Sequence, residues 1–456
     1  MRDRRPQNLA AKIVDCLGCG STPLIAPTSP QSFNDHAAGG STLNYQRLVN
    51  WVFAIFVFTG IISAFKPSPY DFIFLIIAPL WLLGGIKVHR GVIFILVLWC
   101  IFEISGFIAL MPYYGEPNPT IYQFQSLYVI FTVVFFTLFF SDRSIVRGEL
   151  ALKAYTVGAV VCAIIGIAGY LDLGGIGLLW SHDEGRAAGT FDDPNLYGSY
   201  LTLAAVYLLQ GLLLGTTKRP FLSAVSLVVL IVGIFVSFSR GSWGAFINAS
   251  LLMGVTGYLT VRSKRTRHRI VMMSGVTLGL CAATVFVLLA QPEMRKTFFD
   301  RATFAKSYDE GITGRFGNQI RSIPMLLDRP GGFGPLRFRN FFDLEPHNSY
   351  VGAFANDGWL GGFTWIIIVF STAFVGFRLT FVRSPYQQLA QVFWPVLLSW
   401  LLQGFQIDID HWRQLFLCFG AVWGFEAARL RWSARQKQTV VVPVTQGELC
   451  PAGPMQ

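Results

Sequence analysis

Charge is what this sequence has least of. Only 13% of its residues are charged while 53% are hydrophobic, over 456 residues. With a mean hydropathy of +0.50, that is too apolar for a soluble domain and calls for a lipid solvent. Cysteine and histidine are sparse, seven and six in number, which leaves little material for a disulfide framework or a metal cluster. Cys100, Cys162, Cys281 and Cys418 fall inside apolar runs, where a thiol behaves as a small hydrophobe. Cys16 and Cys19 form a C-x-x-C, but no second pair and no suitably spaced histidines follow, so no zinc site is expected. Also missing is a basic stripe or tail. The formal charge of +11 is distributed in short clusters between apolar runs, which excludes a nucleic-acid surface and leaves those clusters as topology signals.

What the chain has is a succession of apolar runs. Residues 1–47 are polar and rich in Gly, Ser, Pro and Asn, without an apolar core long enough for a signal peptide, and are expected to be a flexible cytoplasmic tail. A second cytoplasmic tail is expected over 429–456, with little order from about Ala434 onward. Between them, runs near the ~20 residues needed to cross ~30 Å of hydrocarbon lie at 48–65, 71–86, 91–111, 124–140, 153–171, 196–214, 220–238, 243–260, 270–290, 350–377, 386–405 and 411–428. Backbone groups in lipid must pair within their own segment, and the runs are too long for a membrane barrel. The expected fold is therefore all-α, a polytopic membrane bundle of about 12 transmembrane helices.

Short-loop Lys and Arg set the orientation. With the N-terminus cytoplasmic, inner loops carry Lys87 and Arg90; Arg143, Arg147 and Lys153; Lys218 and Arg219; Arg262, Lys264, Arg265, Arg267 and Arg269; then Arg378 and Arg383. Outer loops hold Lys66, Arg186 and Arg240, with Arg413 near a helix end. The asymmetry predicts both termini inside, a bacterial inner-membrane location, and one long periplasmic loop over 291–349.

Three outer segments carry polar groups that this bias otherwise excludes. The first runs over 182–198. Asp193 followed by Pro194 suits an N-cap and first helical position, leaving a positive helix end that favours an anion. Arg186 lies just upstream, either facing that anion or paired with Asp183 or Asp192. The second is the turn Phe238-Ser239-Arg240-Gly241-Ser242. Its arginine either snorkels or presents its fork of donors to a diphosphate at the bilayer edge. The third lies in the long loop. Ile320, Ile323, Leu326 and Leu327 recur at helical spacing after Gly314-Arg315-Phe316, predicting an amphipathic helix on the membrane surface or over the bundle. The turn 329–335, with three glycines, ends it. Glu345-Pro-His347-Asn348-Ser349-Tyr350 follows, with Asn348 or Ser349 capping the next helix. His347 is then a structural residue or a proton acceptor near neutral pH, with Glu345 placed to orient it.

At these residues the sequence resembles the O-antigen ligase and lipid-linked polysaccharide polymerase superfamily. The resemblance rests on Arg186-Ala-Ala-Gly-Thr-Phe-Asp-Asp-Pro-Asn195, on Ser239-Arg240-Gly241, and on His347-Asn348-Ser349-Tyr350 followed by Gly358 and Gly361. It covers roughly 48–428, the expected transmembrane glycosyltransferase domain. It implies transfer of a glycan from undecaprenyl diphosphate to an acceptor hydroxyl on the periplasmic face, with no cofactor and no essential metal. It also implies that Arg186, Arg240 and His347 are catalytic. Arg315 matches a further loop arginine, and Arg315, Asn195, Asn348 and Ser239 are candidate substrate-binding residues.

On that reading Arg186 and Arg240 neutralise the leaving diphosphate, while His347 orients or deprotonates the acceptor from the opposite face and inverts the anomeric centre. The acceptor is lipid A core for a ligase, a second lipid-linked glycan for a polymerase, or a Ser or Thr side chain for a protein glycosyltransferase; ligase is the leading expectation. A secondary transporter, such as one for bicarbonate, is the alternative of another class. It predicts repeats and broken helices with polar residues at mid-membrane, whereas no repeat is evident in the sequence and its notable polar groups fall at the outer edge. Asp408-Ile-Asp410-His411 is expected to form a structural ion pair near Arg413. Glu103, inside the third run, is either functional or a buried acid hydrogen-bonded to a neighbouring helix.

Overall fold

The computed structural model describes residues 40–63, 67–175, 177, 181–182, 185–302, 311 and 313–440. Cys16, Cys19, Lys66, Asp183 and 441–456 lie outside the described residues. The described chain is almost wholly helical: α1 (Gly40–Thr59), α2 (Pro69–Leu82), α3 (Arg90–Leu110), α4 (Pro117–Ser141), α5 (Ser144–Tyr170), α6 (Pro194–Leu214), α7 (Pro220–Val236), α8 (Arg240–Thr260), α9 (Lys264–Leu289), α10 (Pro292–Ala302), α11 (Arg315–Leu327), α12 (Arg339–Phe342), α13 (Ser349–Phe381), α14 (Gln387–Gln403) and α15 (Arg413–Val440). One antiparallel pair, β1 (Ser181–His182) and β2 (Arg186–Ala187), sets His182 opposite Arg186.

Among the described residues, each of the twelve apolar runs contains a helix. Six helices among the described residues are long and apolar enough to cross a membrane: those over Arg90–Tyr113, Pro117–Ser141, Ser144–Tyr170, Pro194–Leu214, Lys264–Leu289 and Ser349–Phe381. Local sequence explains several starts. Pro69, Pro117, Pro194, Pro220 and Pro292 open their helices, where the missing N–H would have had no intrahelical partner. The exterior is apolar as well as the core. Phe221 is 82% exposed, Phe286 77% and Phe370 70%, and among the described side chains of α9 only Ile270 is buried. Surfaces of that kind belong against lipid, and the chain is a helical membrane protein.

Two boundaries differ from the sequence expectation. Helix α1 begins at Gly40, inside the stretch read as a tail, and α15 continues to Val440. The segment Ala434-Arg-Gln-Lys-Gln438 lacks an apolar stripe, but its residues are good helix formers and extend a helix already nucleated.

Packing joins α15 to α4, α13 to α3, and α6 to α7 and α8, while α14 packs on α8. The α15–α4 contact depends on Gly420 and Gly424, one turn apart. A Cβ on Gly420 would stand 2.3 Å from the Phe136 Cβ, and one on Gly424 would stand 2.6 Å from the Phe140 Cβ. Helices in lipid associate through such close approach, since apolar surface alone gives them no reason to leave the acyl chains.

Helix α13 is broken. Gly358 has φ 70° and ψ −168°, a conformation essentially restricted to glycine. The turn after α11 fills the break. Phe333 N–H and Gly334 N–H donate to Ala355 O at 2.7 and 3.1 Å, and Trp359 N–H donates to Pro330 O at 2.8 Å. Backbone groups freed by the break are thus satisfied within the protein, as a low-dielectric setting requires. Asn356 and Asp357 stand at this break, so polar residues within a broken helix, absent from the sequence reading, are present in the fold.

Candidate functional site

The three polar segments each end in a capped helix. Asp193 accepts from Asn195 N–H and caps α6, Ser239 accepts from Ser242 N–H and caps α8, and Asn348 accepts from Tyr350 N–H and Val351 N–H and caps α13. Each N-terminus presents the positive end of a helix dipole.

The first two segments interlock. Arg186, 7% exposed, donates from Nε to Ser237 O at 3.0 Å and from Nη2 to Asn195 Oδ1 at 2.9 Å. Asn195 Nδ2 returns to Asp193 Oδ1 at 3.0 Å. Ser242 Oγ donates to Asn195 O at 3.0 Å, tying the start of α8 to the start of α6. Arg240, half-buried, is the first residue of α8.

The end of α14 connects this pair to the third segment. Ser199 Oγ, one turn into α6, donates to Gln403 Oε1 at 3.0 Å, and Gln403 also lies against Gly241. The next residue, Gly404, accepts from Ser349 N–H at 2.8 Å, and Gln406 O accepts from Arg315 Nη1 at 3.0 Å. One short stretch of backbone therefore holds the neighbourhoods of Arg186, Arg240, Arg315 and His347 at the same end of the helices. Nothing in the local sequence marked Gln403 for this role, because its partners are about 160 and 200 residues away.

His347 adopts φ 45°, an uncommon conformation for a residue with a Cβ. Its Nδ1 pairs with Asp408 Oδ2 at 3.4 Å, while Asp408 Oδ1 accepts from Asn348 N–H at 3.0 Å. The expectation that Glu345 orients His347 is overturned: Glu345 pairs with Arg339 at 2.5 Å. The structural ion pair expected of Asp408-Ile-Asp410-His411 is present, His411 Nδ1 standing 3.1 Å from Asp410 Oδ2, while the nearby Arg413 donates to Asp71 at 2.8 and 3.0 Å and Asp408 faces His347. The reason is tertiary, since folding returns the α14–α15 loop beneath the start of α13. The Asp408 carboxylate beside it holds the His347 imidazole above the ordinary histidine value, against burial and the charge of Arg315.

Asn195, Asn348 and Ser239 have protein partners for their side chains: Asn195 bonds Arg186 and Asp193, Asn348 bonds Gln319 and the Tyr350 and Val351 N–H groups, and Ser239 accepts from Ser242. Helix α11 is amphipathic as expected, with its apolar stripe turned outward. Ile320 is 68% exposed and Leu327 64%, whereas Asn318, Gln319 and Ser322 are buried. Gln319 donates to Pro346 O at 2.8 Å and accepts from Asn348 Nδ2 at 3.3 Å, so the polar face of α11 braces the His347 segment. Leu326 alone of the four apolar positions turns inward, into a cluster with Phe333, Phe338, Phe342 and Ala355.

Next to His347 is a cavity of about 230 Å³, lined in part by Ser349, Asp357, Asp408 and Asp410. Tyr122 donates to Asp410, and Asn356 Nδ2 donates to the Tyr122 hydroxyl at 3.2 Å. Glu103 is the buried acid held by a neighbouring helix, accepting from Gln123 Nε2 of α4 at 2.9 Å.

The site thus combines arginines beside two helix N-termini with a carboxylate-paired histidine at a third. Such an arrangement can neutralise a polyanion and accept a proton. Searched against protein-family models and against curated proteins, the chain gives no match.

Proposed function

We propose that the protein transfers a glycan from undecaprenyl diphosphate to an acceptor hydroxyl at the periplasmic edge of the bacterial inner membrane. The observation that carries this reading is the convergence, through Gln403 and Gly404, of three segments far apart in sequence that each end in a capped helix N-terminus. Convergence of that kind is what a single shared substrate requires, and the resemblance of the same segments to the O-antigen ligase and polymerase superfamily names the substrate class. Arg186 and Arg240 neutralise the diphosphate as the sugar–phosphate bond breaks. His347, backed by Asp408, takes the proton of the attacking hydroxyl, and attack from the far side inverts the anomeric centre. Arg315, whose charge acts on His347 and whose Nη1 donates to Gln406 O, contributes charge on the donor side.

In the same proposal the twelve apolar helices span the bilayer with both termini cytoplasmic, and 291–349 is the periplasmic loop. The exposed stripe of α11 rests at the lipid interface. Arg378 supports this orientation: it lies in the last turn of α13, at the other end from Asn348, and pairs with the buried Glu426. A ligase acting on lipid A core is the acceptor assignment we adopt, and gene deletion tests it. Free lipid-linked polymer supports ligation, and a single capped repeat supports polymerisation.

Arg240→Ala is expected to abolish transfer of labelled lipid-linked glycan while the protein remains inserted and abundant. Retained transfer in that membrane assay removes the proposed role. One observation favours a second reading, a secondary transporter: α13 is broken at Gly358 with Asn356 and Asp357 beside a cavity, the design in which transporters hold solutes. Transfer by purified protein in detergent, with no gradient present, decides for the enzyme.

A further inference from the structure

Asp408 has a near neighbour of the same charge. Asp410 lies two residues further along the same loop, and both carboxyl groups stand in the wall of the cavity beside His347. Ile409 between them is fully buried, and its N–H donates to Ser349 Oγ at 2.7 Å. A second histidine follows at once, with His411 Nδ1 3.1 Å from Asp410 Oδ2. Two acids so placed disfavour each other's ionised form, and the loop by itself does not say which of them serves the base.

Helix α4 makes the choice. Tyr122 donates its hydroxyl to Asp410 Oδ2, and its ring lies against His411 with centroids 4.6 Å apart. One turn further along α4, Ser126 Oγ stands 3.5 Å from His411 Nε2. The Tyr122 hydroxyl is itself fixed, because it accepts from Asn356 Nδ2 at 3.2 Å, and Asn356 Oδ1 accepts from Leu336 N–H at 3.2 Å. Hydrogen bonds thus run in one direction, from Leu336 through Asn356 and Tyr122 to Asp410, and bonds in such a chain strengthen one another. The chain starts just after the turn that fills the break in α13. Asp410 is held on the α4 side, and Asp408 is left to accept from Asn348 N–H at 3.0 Å and to face His347 Nδ1 at 3.4 Å.

We propose that Tyr122 is a positioning residue for the base: by holding Asp410 it assigns Asp408 to His347. The assignment rests on the glycosyl-transfer reading and deepens it. Tyr122 meets no substrate in this role and acts through the loop. Phenylalanine in its place keeps a ring on His411 but leaves Asp410 short of one hydrogen bond and Asn356 Nδ2 without its acceptor. The loop then loses its tie to α4, and the distance from Asp408 to His347 Nδ1 is no longer fixed. The charged groups acting on His347 are Asp408, Arg315 and Glu345, and those acting on Asp408 are Asp410 and His347; Tyr122→Phe removes none of them. Nor does it reach the donor side, where Arg186 is held by Ser237 and Asn195.

The test compares Tyr122→Phe, Asp408→Asn and the double variant as purified full chains in nanodiscs, assayed for transfer of labelled lipid-linked glycan. Tyr122→Phe is expected to lower kcat roughly 10-fold, the lower end for loss of a hydrogen bond to a charged group, with KM for the donor unchanged. In the Asp408→Asn background the same substitution is expected to cost less than about 2-fold, since its route to the base is already cut. Multiplicative losses, a loss carried by KM, or an unchanged kcat overturns the proposal. A second readout is independent of transfer. With ring-labelled histidine followed by NMR, and His347→Gln to assign the signal, the His347 titration midpoint is expected to fall toward the ordinary histidine value in Tyr122→Phe; an unmoved or raised midpoint overturns the positioning role. If Arg240→Ala retains transfer while that midpoint falls, the transfer role is lost and the positioning stands; if Arg240→Ala abolishes transfer but neither readout of Tyr122→Phe moves, the positioning alone is lost.

Discussion

Replacing Asp408 by Asn isolates the electrostatic part of the histidine pair. Asparagine keeps an oxygen for the Asn348 N–H, 3.0 Å away in the wild-type protein, so the start of α13 retains its shape. What is lost is the negative charge 3.4 Å from His347 Nδ1. A hydrogen bond to a charged group is worth about 1.5–3 kcal/mol and a neutral one about 0.5–1.5, so the substitution removes about 1–1.5 kcal/mol of preference for the imidazolium. At about 1.36 kcal/mol per unit, that is up to about one pH unit. His347 is 43% exposed, and solvent screening moves the effect toward the lower end.

The sign follows from the direction of the wild-type shift. A proton acceptor must be neutral, and Asp408 holds His347 protonated to higher pH than an ordinary histidine. Wild-type transfer therefore rises with pH through a value above the ordinary range. In Asp408→Asn the rising limb moves to lower pH, while the plateau drops on the order of 10-fold because the imidazole loses its orienting partner. Transfer of labelled glycan by purified protein, measured from pH 5 to 9 at saturating donor, reads both changes. Superimposed profiles, or a limb displaced to higher pH, refute the base role and its coupling to Asp408.

Gly420→Leu forces α15 away from Phe136 and is expected to lower stability by about 1–3 kcal/mol through overpacking, read as a lower melting temperature in nanodiscs. Gly358→Ala places a Cβ 2.5 Å from Pro330 O at a φ of +70°. It should displace the 330–334 turn and reduce transfer, whereas a wild-type melting curve and rate would show that the break tolerates a side chain. Substituting Ile320 and Leu327 together by Asp charges the outward stripe of α11, and is expected to reduce quenching of a probe on that helix by lipid-borne quenchers. Unchanged quenching would place the stripe away from lipid.

Much of the fold was legible in the chain. Runs near the length of a bilayer crossing became helices, and Asp193-Pro194 and Asn348 capped α6 and α13 as their residue types dictate. The amphipathic period of 320–327 became α11, since helical spacing of apolar residues is a local property. Its facing was not legible, because in a membrane protein an apolar stripe is stable against lipid as well as against the core. Glu345 looked like the partner of His347 because it is two residues away, yet Arg339 takes it and the carboxylate that serves His347 comes from 61 positions later in the chain.

Composition and periodicity by themselves determined a helical membrane protein with its polar chemistry in three segments, because hydrophobicity and backbone pairing act over neighbouring residues. Tertiary structure alone decided that Gln403 and Gly404 join those segments, that Asp408 faces His347, and that helices α3, α4, α13 and α15 line one cavity together with the loops that carry Glu345, Asp408 and Asp410. Such contacts join residues remote in sequence, and their geometry exists only after the helices pack.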